Sequence, residues 1–479
     1  MLLRRTTSLC PTCLGSVPAE VVRRGDQVVM TKQCDRHGAS EVVVAHDADW
    51  YQRISSYPAA VTPPTTTRTV ERGCPFDCGP CAQHEQTAML PIVPITSACN
   101  LDCPICYTHN KNDGAYHMTE AELRAILGHI ARTDPARRLI NITGGEPTMH
   151  PDFARLIELC HTEGIRRITI STHGLGLLKD EALVARLAAL DARVILSFDS
   201  FRDATNHALL GANLTDAKLR VLALLERHGV STTLLPVVAR GHNHDELGAF
   251  VDLALGRDFI RSLELHTMTF TGQGGLGFDG AARYTPDQVL ADLEVQTAGR
   301  LRRTDFVPSP AAHPTCYQVT YLLRVAPDRW LPFPRFMSWD ELRAMLAGML
   351  YLEPGPAAEA TLHDVIDRVW SGATELGDDA DLVLAALRGL VDTVFAPGLT
   401  DDQRLRASER WSKAIYVHAH MDETTFDTDR IRQCCVGIRE PDGANVPSCA
   451  YNVLYRNRDA RFAATPAPTL VTLGRGRRA

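Results

Sequence analysis

Two cysteine runs share the spacing Cys-x3-Cys-x2-Cys. They are Cys74, Cys78 and Cys81, then Cys99, Cys103 and Cys106, with seventeen residues between them. Three thiolates in one short loop suit an iron–sulfur cluster. A [4Fe–4S] cube has four irons, so three cysteines leave one iron open to a substrate or cofactor. A further group opens the chain, where Cys10-Pro-Thr-Cys13 precedes Cys34-Asp-Arg-His37. Two ligand pairs joined by a hairpin make a tetrahedral Cys3His site for zinc or a single iron. Cys316, Cys434, Cys435 and Cys449 lie late in the chain and can fold back to ligate a cluster. Fourteen cysteines without a secretion signal read as metal binding rather than disulfides, which implies the reducing cytoplasm.

The 479 residues imply more than one domain, and 45% hydrophobic with 22% charged residues is the balance of a globular protein. A net charge of −7 argues against a general nucleic-acid binder. Apolar stretches end well short of a membrane span. The start, Met1-Leu2-Leu3-Arg4-Arg5, lacks the apolar core of a signal peptide. The basic tail Arg475, Arg477 and Arg478 reads as a frayed terminus.

The positioning elements come next. Val21–Val29 and Glu41–Ala45 read as strands around a Gly25-Asp26 turn, giving a metal knuckle over residues 1–57. Residues 58–89 form a Pro/Thr-rich linker and the first three-cysteine loop. From residue 90, six strands alternate with helices. They are Leu90–Thr96, Leu139–Thr143, Arg167–Thr172, Arg193–Phe198, Ser231–Val238 and Ser262–Met268. This α/β order predicts a partial (β/α)6 barrel over 90–270, with its site at the strand C-termini. Residues 271–479 form a further region, largely helical between about 338 and 395, that carries the late cysteines.

Cys99-Asn-Leu-Asp-Cys103-Pro-Ile105-Cys106 follows the first barrel strand, and Gly144-Gly145-Glu146-Pro147 follows the second. Here residues 90–270 resemble the radical S-adenosylmethionine (SAM) superfamily. The resemblance implies that Cys99, Cys103 and Cys106 hold the SAM-binding cluster. It implies that Gly144, Gly145, Glu146 and Pro147 bind the methionyl amine through backbone and carboxylate. Ser171, Thr172 and His173 end strand three, and Ser197 and Asp199 end strand four. Family members use such positions for the ribose, the methionine carboxylate or the substrate. The cofactor would be cleaved reductively to a 5′-deoxyadenosyl radical that attacks unreactive C–H bonds.

The other loop, Gly73-Cys74-Pro-Phe-Asp-Cys78-Gly-Pro80-Cys81, follows a linker and has Pro80 where Ile105 stands. It reads as an auxiliary cluster, its fourth ligand drawn from Cys316, Cys434, Cys435 or Cys449. The remaining three leave room for a second auxiliary cluster. A zinc site is the alternative for this loop. Phe426-Asp-Thr-Asp-Arg430, Pro441-Asp-Gly443 and Val446-Pro-Ser-Cys449-Ala-Tyr-Asn452 extend the likeness over nearly the whole chain. The chain resembles a family of archaeal tetraether lipid synthases and pterin-type methyltransferases that use methylenetetrahydrofolate. It departs at Ala311 and Ala312, where relatives often carry a further cysteine before His313.

The expectation is a radical SAM enzyme forming a carbon–carbon bond, by methylation or alkylation of a small molecule. Coupling of lipid chains is the alternative, with peripheral membrane contact. A non-catalytic electron-transfer protein is the reading from another class. A ferredoxin or flavodoxin would supply electrons. Cys160 reads as a buried small hydrophobe, and His266 as either substrate-facing or packed. His418 and His420 read as a surface pair.

Overall fold

The computed structural model describes residues 1–66, 68–108, 116–134, 136 and 138–462; the basic tail lies outside them. The chain opens with β1 (Leu2–Leu9), β2 (Ser16–Arg24), β3 (Gln27–Cys34) and β4 (Gly38–Ala45), an antiparallel sheet in chain order. Gly25 and Asp26 form the turn between β2 and β3, with Gly25 at φ +61°. The turn therefore separates two strands rather than lying beside one. In β2, Val17, Ala19 and Val21 alternate inward, the period-two pattern of a half-buried strand. A helix over Ala48–Ser55 follows, capped by the Asp47 carboxylate accepting from the Trp50 amide.

The central sheet contains β5 (Leu90–Thr96), β6 (Ile140–Gly144), β7 (Ile168–Thr172), β8 (Arg193–Ser197), β9 (Thr232–Leu235), β10 (Val237–Val238) and β11 (Ile260–Thr267). Strands β5, β6, β7, β8, β9 and β11 run parallel side by side in that order, so the six-strand expectation holds. The Thr119–Glu122 capping box opens the Glu120–Thr133 helix. Val93, Ile95, Ile140, Ile142, Ile170 and Val194 bury the apolar side of the sheet against the helices.

The later residues complete this sheet. They supply β12 (Val307–Pro308), β13 (Tyr317–Ala326), β14 (Arg329–Pro332), β15 (Ser412–Ala419), β16 (Val436–Arg439) and β17 (Asn445–Pro447). Strand β15 pairs parallel with β11, and β16 pairs parallel with β5. Each edge of the barrel thus gains a strand, and each added strand carries an antiparallel neighbour outside it. Helices over Trp339–Met345, Pro356–Trp370 and Ala380–Val394 fill the stretch expected to be helical. Among the described residues no helix is long and apolar enough to cross a membrane.

Candidate active site

Strand β5 ends at Thr96, and the chain then turns into Cys99. Gly145 N–H donates to Thr96 O at 2.8 Å and Glu146 N–H to Ala98 O at 2.7 Å. The glycines permit this approach. A Cβ on Gly145 would lie 2.3 Å from Ala98 O, and one on Gly144 2.3 Å from Thr96 O. Gly144 also has φ +151°, a conformation open mainly to glycine. The Gly-Gly pair thus clamps the cysteine loop to the end of β6.

Glu146 is buried, and its carboxylate is a hub. Oε1 accepts from Thr148 N, Thr148 Oγ1 and Thr172 Oγ1, and Oε2 accepts from His173 N at 3.0 Å. It therefore ties the ends of β6 and β7 together, so the carboxylate holds the loop as well as bordering the cavity. His173 Nε2 meets Asn100 Oδ1 at 2.7 Å, which links the end of β7 to the cysteine loop.

Cys99, Cys103 and Cys106 line a cavity of about 300 Å³ at the strand C-termini. Gly144, Gly145, Glu146, Ser171, Thr172, His173, Ser197 and Asp199 line the same cavity, so the barrel gathers these predicted positions in one place. Pro147 begins a short 3-10 turn beside them. Burial pushes the Cys99 thiol up to about 11 and Cys103 well above the ordinary thiol range. Such thiols keep their protons until a metal displaces them. Three thiols lining one cavity at the strand C-termini fit a cluster with an open iron.

Lys218 escaped sequence reading. It sits on the helix over Thr215–Arg227, fully buried, and its Nζ donates to His173 O at 2.9 Å and Ser197 O at 2.6 Å. Burial lowers its pKa even though the Asp199 carboxylate opposes the shift. The available signal was a lysine spaced with Leu214, Val221, Leu222 and Leu225 on an apolar helical stripe.

The loop that carries Cys74, Cys78 and Cys81 is braced from both sides. Asp77 Oδ2 accepts from the backbone N–H groups of Glu71, Arg72 and Gly73, at 3.0, 2.5 and 2.7 Å. The Tyr455 hydroxyl accepts from Cys78 N–H at 3.1 Å and donates to Pro75 O at 2.9 Å. Burial raises Cys74 to about 12, with Cys81 adding to the effect. Burial raises the Cys434 thiol, and the nearby Cys435 and Cys449 thiols add to the effect. Arg430 Nε donates to Cys316 Sγ at 3.3 Å.

In the N-terminal sheet, Cys10, Cys13, Cys34 and His37 bring one ligand atom each within 4.8 Å of all the others. Cys10 Sγ and Cys34 Sγ both lie 3.5 Å from His37 Nδ1. A tetrahedral ion at ordinary metal–sulfur and metal–nitrogen lengths gives an edge of about 3.6 Å, so this site fits zinc or a single iron.

His418 and His420 correct the surface-pair expectation. Pairing of β11 with β15 sets His266 beside His418, and β13 sets Tyr317 on its other side. His418 is buried, the Tyr317 ring stacks on it at 3.7 Å, and all three imidazoles line the cavity. Cys160 is buried in the barrel core, as expected.

Comparison with known proteins agrees with this geometry. Residues 93–254 match the radical SAM superfamily, and residues 2–46 match the N-terminal zinc ribbon domain described as HMPTM. The barrel over residues 93–254 is a radical SAM domain. Over 480 residues it is 26% identical to 7,8-dihydro-6-hydroxymethylpterin dimethyltransferase of Methanocaldococcus jannaschii, covering 95% of this chain and 94% of that protein. A probable GTP 3′,8-cyclase of Saccharolobus islandicus is 27% identical over 188 residues, 39% of this chain and 59% of the cyclase. Streptococcus suis SuiB bound to its precursor peptide aligns at a TM-score of 0.38 and 19% identity, over 45% of this chain and 46% of that one.

Proposed function

We propose that the protein adds a one-carbon unit to a reduced pterin or a closely similar small heterocycle. The observation that carries this reading is the match, along nearly the whole chain, to a pterin dimethyltransferase. It is joined to a cavity at the barrel mouth that gathers the three cysteines with the ends of β6, β7 and β8. When bound, a [4Fe–4S] cluster and S-adenosylmethionine supply one-electron hydrogen abstraction from an unactivated carbon. The remaining work belongs to the chain. Cys99, Cys103 and Cys106 hold three irons, and the backbone of Gly144–Pro147 offers acceptors to the methionyl amine. Ser171, Thr172, His173, Ser197 and Asp199 orient the cofactor. Lys218 fixes the carbonyls behind them.

Tyr107, Ser448, Asn452 and Arg456, from outside the strands, line the same cavity. Cys74, Cys78 and Cys81, and the group Cys316, Cys434, Cys435 and Cys449, hold auxiliary clusters on this reading. A ferredoxin or flavodoxin delivers electrons. A small acceptor is favoured over lipid coupling because the long match is to an enzyme named for a pterin.

The test uses cluster-reconstituted protein under anaerobic conditions with reductant, SAM and 7,8-dihydro-6-hydroxymethylpterin. The expected result is 5′-deoxyadenosine together with a pterin product heavier by one-carbon units, both absent from a Cys99/Cys103/Cys106→Ala variant. Isotopic label supplied in SAM or in methylenetetrahydrofolate identifies the carbon source. Failure of the pterin to gain mass, or to stimulate 5′-deoxyadenosine, would overturn the substrate assignment.

A further inference from the structure

We infer that His266, His418 and His420, with Glu264, form a further metal site at the barrel mouth that takes a divalent first-row transition ion such as zinc or ferrous iron. The inference rests on the proposed role of this cavity as the substrate site. It concerns imidazole ligands rather than the cluster cysteines, with His420 Nδ1 3.6 Å from Cys449 Sγ where the two sites meet.

The geometry is specific. His418 Nδ1 lies 3.3 Å from His266 Nε2. Glu264 Oε1 lies 2.9 Å from His266 Nε2 and 3.9 Å from His418 Nδ1. A point equidistant from these three atoms is about 2 Å from each, which is the length of a zinc–nitrogen or zinc–oxygen bond. The three histidines each offer one ring nitrogen within 4.8 Å of the other two, a set that does not take in Glu264. In-register pairing of β11 and β15 sets His266 and His418 on one face of the sheet, and His420, two residues further along the chain, reaches the same cavity.

Hydrogen bonding alone accounts poorly for this arrangement. One hydrogen on His266 Nε2 cannot serve both Glu264 and His418 well. The nearby Arg430 guanidinium is engaged with Cys316 Sγ and Ala419 O. Tyr317 stacks on His418 and Tyr107 on His420, holding both rings in orientation. Three imidazoles, with the Glu264 carboxylate beside His266, suit zinc or ferrous iron. The site faces the cavity, so a further coordination position would meet a ring nitrogen or carbonyl oxygen of the substrate and fix it near the radical centre.

Zinc alone is the probe. Anaerobically reconstituted full-length protein is equilibrated with zinc and desalted, then assayed for iron and zinc. Wild type should retain about two zinc ions, one in the Cys3His ribbon and one here, and His418→Gln and His266→Gln should each retain about one with iron unchanged. In a Cys10→Ser/Cys13→Ser variant, X-ray absorption of the remaining zinc should show only nitrogen and oxygen neighbours at about 2.0–2.1 Å. Wild type with one zinc, histidine variants with two, or a sulfur shell at about 2.3 Å in the ribbon variant would overturn the site. If a histidine variant fails to fold, the ribbon variant still decides. The metal count does not depend on turnover, so loss of the pterin reaction and loss of this ion are separate outcomes.

Discussion

Replacing Gly145 with alanine tests how the cysteine loop is held. The added Cβ would meet Ala98 O at 2.3 Å, Ala98 C at 2.7 Å and Ser97 O at 2.8 Å. All three are backbone atoms, so no side chain can swing aside. Separation by about 1 Å disrupts the bonds from Gly145 N–H to Thr96 O and from Glu146 N–H to Ala98 O. Each is worth about 1 kcal/mol, and overpacking adds about 1–3 kcal/mol. The expected loss is about 3–5 kcal/mol, most of it falling on the segment leading into Cys99. Chemical denaturation reads the stability, and iron per chain after reconstitution reads the loop. The control is Gly256→Ala, at the last residue of the Leu247–Gly256 helix, where a Cβ meets nothing within 4 Å; it should be neutral or slightly stabilising. A Gly145→Ala protein with wild-type stability and iron content would refute the clamp.

Other expectations concern single residues. Asp427 is buried and held at about 2: burial opposes ionisation, and the Arg4 guanidinium outweighs it. Its folded pKa is depressed from 3.8, so it contributes about 2 kcal/mol above pH 4, lost as pH falls towards 2. Urea denaturation should show the gap between wild type and Asp427→Asn shrinking over that window; a gap constant from pH 6 to pH 3 would exclude the coupling. Lys218→Met strips donors from two buried carbonyls, for a loss of about 2 kcal/mol in thermal or chemical unfolding, together with weaker SAM binding by calorimetry. Unchanged values on both would remove Lys218 from the site. Asp77→Ala removes the acceptor for three backbone N–H groups and should lower iron per chain without altering metal held by the intact Cys10/Cys13/Cys34/His37 site; full iron would show that the loop holds its shape unaided.

Much of this molecule is local in sequence. The cysteine triplets, the Gly-Gly-Glu-Pro turn and the ribbon pairs lie within a few residues of each other, and the spacing of thiolates dictates what they can bind. The six strands were legible because buried parallel strands are short apolar runs separated by helical periodicity. The turn at Gly25-Asp26 was legible too, but its strands were misplaced because alternation is weak in β3, where Val28, Val29 and Met30 are all buried.

Tertiary structure alone decided the rest. Strand β15 comes about 150 residues after β11 in the chain, yet pairs with it, and that pairing sets the buried His418 beside His266, with His420 just past the strand end. Lys218 looked like one more charge on a helix until the fold aimed it at the backbone behind the cavity. Glu146 was legible as a motif residue, but its hold on β7 depends on Thr172 and His173 arriving from the next strand. Sequence by itself determined which atoms could bind metal, because ligand chemistry is a property of residue type and short spacing. Only the sheet order decided which of them meet, because strand pairing sets register between segments that no local pattern connects.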